Sequence, residues 1–386
     1  MYAIKIQLVH PSEAVKVLQR VREVPNKRVF NCSLVDVKTK ATDTTQCFSS
    51  ANPSLLPHQQ CDFSKPEVNG TWICEKPDKL PCSTISKCRW ESHHSVVKVL
   101  ELVSNEEKKL FQKPYLEEEL KVDPMETIQI LDAEPPTAQH LPACTWDKSA
   151  ALGHWSGKVW TSSVCNVRVF AQNDIQRCLA NKTVYMQGDS TIRQWSQRLQ
   201  EVVPLYFSTM NYFTGLHGGD NSQWNISVRC RFHHIPIQTG TWTIFSDFRY
   251  VVDELNATPG GPDTVIVLGL WAHFTAEPLE LLWSRLYAIR GAIHRLVRRS
   301  PGTKVFVRTG TTREHGGWLA YYLLGSDWLA YQITEVIREM FRADPDVVVL
   351  DTWDMSVCQP GKDNVHPDQN MVDSQLNMLL SHICPN

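Results

Sequence analysis

Ser190 stands directly after Gly188-Asp189, behind the short apolar run Val184-Tyr185-Met186 and ahead of Thr191-Ile192-Arg193-Gln194-Trp195. That texture is a strand turning into a helix. A serine at such a turn is exposed, and the free N–H groups of the helix's first turn point at whatever it attacks. Far downstream, Asp363-Asn364-Val365-His366 precedes Pro367. Ser190 as nucleophile, His366 as base and Asp363 as the carboxylate that holds the imidazole tautomer are the parts of a catalytic triad, which is defined by geometry and role rather than chain order. A Gly-Asp-Ser triplet alone is a weak signal, since either Asp189 or Ser190 would serve as an ordinary helix cap. Its place after the first strand of a strand–helix series, with Asp-x-x-His just before the last helix, is the stronger argument.

Those residues need a scaffold, and the second half of the chain offers one. Strand-length apolar runs occur at Thr183–Met186, Thr241–Phe245, Thr264–Leu270, Lys304–Val307 and Val347–Leu350. Helical patterns fall between them, most clearly at 277–299, where Leu279, Leu282, Leu286, Ile289, Ile293 and Leu296 mark one face. Residues 327–341 and 368–383 also read as helices. Strands alternating with helices predict a parallel sheet covered on both faces, with ligands at the carboxyl ends of its strands. Ser190 follows the first strand, Gly269–His273 the third, Thr309–Arg313 the fourth and Asp351–Asp354 the fifth, so all should meet on one rim.

Residues 1–133 differ in texture, and Glu134-Pro135-Pro136-Thr137 marks the expected boundary with a second region, 134–386. Six of the twelve cysteines crowd residues 32–88, which predicts a disulfide-held, loop-rich region. Zinc is the rival reading, through Cys82, Cys88 and His93-His94, but no C-x-x-C pair occurs, and no metal is expected. Residues 96–133 read as solvated strands or a linker. Sequons at Asn31, Asn69, Asn181, Asn225 and Asn256, together with the cysteines, predict passage through the secretory pathway. No apolar run spans a membrane, and Met1–Leu8 has a strand's alternation instead of a signal peptide's long apolar core. The chain is therefore expected to begin inside a domain whose first strands and signal sequence lie upstream. A net charge of −2 gives no reason to expect a nucleic-acid partner.

The C-terminal region resembles the PC-esterase branch of the SGNH (GDSL-like) hydrolases. The resemblance rests on Gly188–Trp195, Asp363–His366 and Trp155-x-x-x-x-Trp160 with Cys165 and Cys178. The whole chain resembles the neurexophilin and PC-esterase domain family, with 1–133 as a partial neurexophilin-like β region. This resemblance implies an SGNH-like (flavodoxin-like) three-layer α/β fold and serine-based acyl chemistry on hydroxyls of secretory glycans. Sialic acid O-acetylation from acetyl-CoA is the expected reaction, a glycan or glycoprotein the partner, and the secretory lumen or exterior the location. A carbohydrate O-acetyl esterase or a non-catalytic neurexophilin-like ligand are the alternatives. The block Gly269-Leu270-Trp271-Ala272-His273 lacks the Asn that the superfamily uses at the oxyanion, so donors are sought in the Ser190 amide, Gly269, and Gly215, Gly218 or Gly219 of the glycine-rich stretch 214–221. Arg193 is a candidate carboxylate clamp, and Trp271 and His273 are candidate sugar contacts. Cys358 and Cys384 flank the histidine segment and are expected to pair.

Overall fold

Chain segments rich in paired cysteines fold here into a sheet rather than into loops. The computed structural model describes residues 10–51, 54–112, 141–148, 151–211, 216–236, 240–313, 318–359 and 365–385. The expected strand at Tyr2–Leu8, the Pro135-Pro136 boundary, Gly215 and Asp363 lie outside the described residues. Helix α1 (Ser12–Glu23) buries Ala14, Val17, Leu18 and Val21. Strands β1 (Phe30–Val35), β2 (Thr42–Phe48), β3 (Gln60–Asp62), β4 (Ile73–Glu75) and β5 (Ile85–Trp90) follow. Directly opposed cysteines are bonded across the ladder, Cys32 to Cys88 between β1 and β5 and Cys47 to Cys74 between β2 and β4. Cys61 pairs with Cys82, so both cysteines of the zinc reading are consumed in disulfides.

Of the stretch 96–133, expected as solvated strands or a linker, the described part lies in helices: α2 (Ser92–Glu101) and α3 (Asn105–Lys109). Val96, Val97 and Val99 are β-branched and lower the local helix propensity. Tertiary burial of Val99 among Leu18, Tyr322 and Leu323 decides the conformation. Ser104 and Glu107 close α3 with a reciprocal capping box.

A hairpin of β6 (Gly153–Ser156) and β7 (Val159–Ser162) and helix α4 (Gln172–Leu179) lead into β8 (Thr183–Gly188) and α5 (Ser190–Val202). Strands β9 (Tyr206–Asn211), β10 (Leu216–Asn221) and β11 (Ile226–Phe232) come next, then β12 (Thr243–Ile244), α6 (Val251–Ala257), β13 (Thr264–Gly269) and α7 (Leu279–Arg299). Strand β14 (Lys304–Arg308), helices α8 (Leu319–Gly325) and α9 (Asp327–Phe341), β15 (Val348–Leu350), α10 (Trp353–Cys358) and α11 (Gln369–Ile383) complete the chain.

The large sheet has the order β15-β14-β13-β8-β11-β10-β9. Strands β15 to β11 run parallel, and β10 and β9 extend the edge antiparallel. Numbered by appearance, the parallel strands run 2-1-3-4-5, a doubly wound order whose switch point lies between β8 and β13. Strand β13 is buried on both faces, as a central parallel strand should be. Val265 and Val267 face a core with Trp195 and Leu376, while Ile266 and Leu268 face one with Leu286, Ile293 and Ile337. Helices therefore cover both faces, α5 and α11 on one and α7 and α9 on the other.

Two expectations are corrected. The second parallel strand is Ile226–Phe232, and Thr243–Ile244 instead joins the N-terminal sheet beside β5. The stretch 216–221 is strand β10, not a glycine-rich loop. The compositional zones also share a core: Phe30, Trp72 and Cys88 belong to one cluster with Phe248, Leu255, Ile266 and Leu286. Among the described residues no helix is long and apolar enough to cross a membrane.

Candidate active site

The turn from β8 into α5 is built by Asp189. Its Oδ1 accepts the Thr191 amide at 2.9 Å and the Thr191 hydroxyl at 2.6 Å, while Oδ2 accepts the amides of Ala272 (2.9 Å) and Trp271 (3.3 Å). Asp189 is thus the N-cap of α5 and also the clasp on the turn after β13. Ser190 is left as the first helical residue, partly exposed, with its hydroxyl uncommitted to capping. Two glycines allow the approach. A Cβ on Gly188 would lie 2.3 Å from the Gly269 carbonyl oxygen, and one on Gly269 would lie 2.1 Å from Ile192. Gly269 contributes through that carbonyl, which accepts the Asp189 amide at 3.2 Å.

Beneath the turn lies Arg308, fully buried at the end of β14. It donates to Thr191 Oγ1 and, at 3.5 Å, to Gln375 Oε1, and its guanidinium stands 5.3 Å from the Trp195 ring. Burial lowers its pKa to about 10, and the charge of Asp189 opposes that shift. A buried carboxylate and a buried guanidinium, bridged by one threonine hydroxyl, hold the turn rigid. Sequence reasoning missed Arg308; its signal was a charge closing the apolar run Val305-Phe306-Val307.

His366 arrives from the loop before α11, and its Nε2 is 2.8 Å from Ser190 Oγ. Several ties set that distance. Gln194 donates to the Pro367 carbonyl (3.1 Å), Trp195 Nε1 to Gln375 Oε1 (2.8 Å), and Arg198 reaches both oxygens of Asp373 (2.6 and 3.2 Å). Asp368 caps α11 by accepting the Met371 amide. The Trp155–Trp160 pair braces the other side: Trp155 Nε1 donates to the Met355 carbonyl (3.0 Å) and the Trp160 amide to Ser374 Oγ (3.3 Å).

The remaining expectations fare differently. Gly218 pairs with Arg229, which pairs with Tyr185, three residues short of Gly188. It therefore lies in the ladder below the rim, and Gly219 one pair lower still. Trp271 is fully buried, with Nε1 donating to Thr191 Oγ1 at 3.1 Å, so it is packing and not a sugar platform. His273 is also buried, its ring 4.5 Å from that of His233. Burial pushes its pKa well below the usual imidazole range, so it is neutral. Arg193 is half-buried with its guanidinium 5.9 Å from the Phe232 ring. Cys384 pairs with Cys178, not with Cys358, which is free and exposed. Cys144 pairs with Cys165, and Cys230 is a buried thiol whose pKa burial raises to about 12. Asn69, Asn181, Asn225 and Asn256 are exposed, whereas Asn31 sits half-buried in β1, donating to Glu91. The exposed aromatics lie elsewhere on the surface: Trp318 and Tyr321 flank a groove of about 470 Å³ that Trp90 and Val96 of the N-terminal zone complete.

Fold and site together define a doubly wound α/β domain with a hydrogen-bonded serine–histidine pair at its switch point. Residues 160–384 match the family described as NXPE family member 4-like, C-terminal domain, and residues 2–109 match Neurexophilin. The chain belongs to the NXPE family.

Proposed function

We propose that this protein is a serine-dependent acyltransferase of the SGNH type that acetylates hydroxyls of secretory-pathway glycans. The observation that carries the reading is the 2.8 Å contact between Ser190 Oγ and His366 Nε2 at the strand ends, within reach for direct proton transfer. Ser190 Oγ attacks the acyl carbonyl carbon while His366 takes its proton. The donor's leaving thiol, that of coenzyme A, departs with that proton and leaves an acyl-serine. A sugar hydroxyl then attacks, giving its proton to His366, and Ser190 regains a proton as the new ester leaves. Asp363 is the proposed orienter of His366, and the Ser190 amide, at the positive end of α5, a proposed oxyanion donor. Five disulfides fit an oxidising compartment. With water in place of the sugar, the same steps make an esterase.

The test is expression through the secretory pathway beside Ser190→Ala, with O-acetylated sialic acids measured by mass spectrometry. A rise that requires Ser190 supports transfer. A fall that requires it marks an esterase. The neurexophilin-like region favours a second reading, a secreted binding protein without catalysis. Failure of a fluorophosphonate probe to label Ser190 in the folded protein would establish that reading over ours.

A further inference from the structure

Helix α7 carries a cation in its apolar stripe. Arg285 lies among the buried Leu282, Leu286 and Ile289 and is itself only 4% exposed. Its guanidinium carbon stands 4.5 Å over the Tyr250 ring. Nε, Nη1 and Nη2 are all buried, and none makes a well-formed hydrogen bond among the described residues; the buried Tyr250 hydroxyl, also without a well-formed partner, is the polar group that approaches the guanidinium and favours its charged form. The carboxylate whose charge reaches Arg285 is Glu277, but Glu277 is already the ion partner of Arg28 at 3.4 Å. Arg28 and Glu277 are buried too, so two buried guanidiniums share one buried carboxylate.

A cavity of about 20 Å³ opens against Arg285, Tyr250 and Arg249, with Val68, Phe274 and Ile289 as apolar wall. That is room for one water-sized species. Arg249 has its own partner in Glu254, at 3.6 Å. A guanidinium does not shed its proton in a protein, and a buried charge is tolerated only when it is paired. Water in the cavity would satisfy a donor but leave the excess positive charge. The mostly apolar wall offers few further donors for the several oxygens of a carboxylate or phosphate.

We propose that this cavity binds a single monoatomic anion, a halide such as chloride, held by the Arg285 guanidinium with the Tyr250 hydroxyl as second donor. The ion sits where the N-terminal zone, through Val68, meets α6 and α7, and binds these elements together. It is independent of the acyl-transfer reading, and none of its ligands belongs to the serine–histidine site.

Two measurements on the full chain test it. Crystals soaked in bromide should show an anomalous peak between Arg285 and Tyr250; a water alone at that place overturns the proposal. In solution, replacing gluconate by chloride at equal ionic strength should raise Tm saturably by several degrees. The rise should vanish in Arg285→Met and shrink in Tyr250→Phe. Equal Tm in both salts, or an undiminished rise in Arg285→Met, overturns it. Should Arg285→Met not fold, Tyr250→Phe and the bromide map of the unaltered protein still decide.

Discussion

At the scale of residues, Asp189 does more than the helix cap that sequence suggested. Its two oxygens accept four donors from α5 and the turn after β13, and Arg308 supplies the counter-charge through Thr191. Asp189→Asn keeps the size but turns an NH₂ toward an amide or hydroxyl donor and leaves Arg308 uncompensated. We expect a loss of about 2–4 kcal/mol in urea unfolding, since a buried charge is left without its partner. Ser190→Ala, by contrast, should change stability by no more than ~0.5 kcal/mol and lower acyl-transfer rate at least ~10⁴-fold. Comparable destabilisation by the two variants would refute this division of labour. Trp271 and His273 show the limit of reading residue types: both stand where a rim residue should be, yet both are buried, because the Asp189 clasp pulls their turn into the core.

Elements position His366. Trp195 and Arg198 join α5 to α11, Gln194 ties α5 to Pro367 in the loop that carries His366, and the Cys178–Cys384 bond ties the end of α11 to α4. That bond closes a sequence separation of 206 residues. Cys384→Ser should cost about 3–5 kcal/mol of stability on the chain-entropy account, whereas Cys358→Ser should fall within ~0.5 kcal/mol of the parent. Non-reducing peptide mapping with thermal melts checks both. A Cys358–Cys384 peptide would restore the sequence-based pairing. Chain proximity suggested that pairing, because Cys358 and Cys384 bracket the histidine loop; the packing of α4 against α11 selected Cys178 instead.

For the whole molecule, the neurexophilin-like sheet and the parallel sheet share one core, and β12, from the C-terminal region of the chain, pairs with β5 of the N-terminal sheet. Unfolding should accordingly be a single transition. Its pH dependence follows from buried imidazoles. Burial holds His233 near a pKa of about 4, below its usual 6.5, and also lowers His273 well below the ordinary value. The unfolded chain binds these protons first, so stability is full above the ordinary value and falls as pH drops through the window from 6.5 to about 4. Between about pH 7 and pH 5 we expect a loss on the order of 1–2 kcal/mol from His233 alone. Urea midpoints at the two pH values measure it, and a flat profile would contradict neutral burial.

Local chemistry sufficed for much of this protein. The Gly-Asp-Ser turn, the amphipathic stripe of α7 and the buried run of β13 are written in periods and residue types, because short-range sterics and one-sided burial dictate them. Which strand lies beside which was not written there. Strand β11 alternates between buried and half-buried residues, and its place between β8 and β10 is set by partners distant from its own sequence pattern. Helix α2 overrides its β-branched residues, and Cys384 finds Cys178, through contacts distant in sequence. Ser190 and His366, 176 residues apart, could be named from the sequence as a possible pair, but only the packing of α5 on α11 brings them to hydrogen-bonding distance.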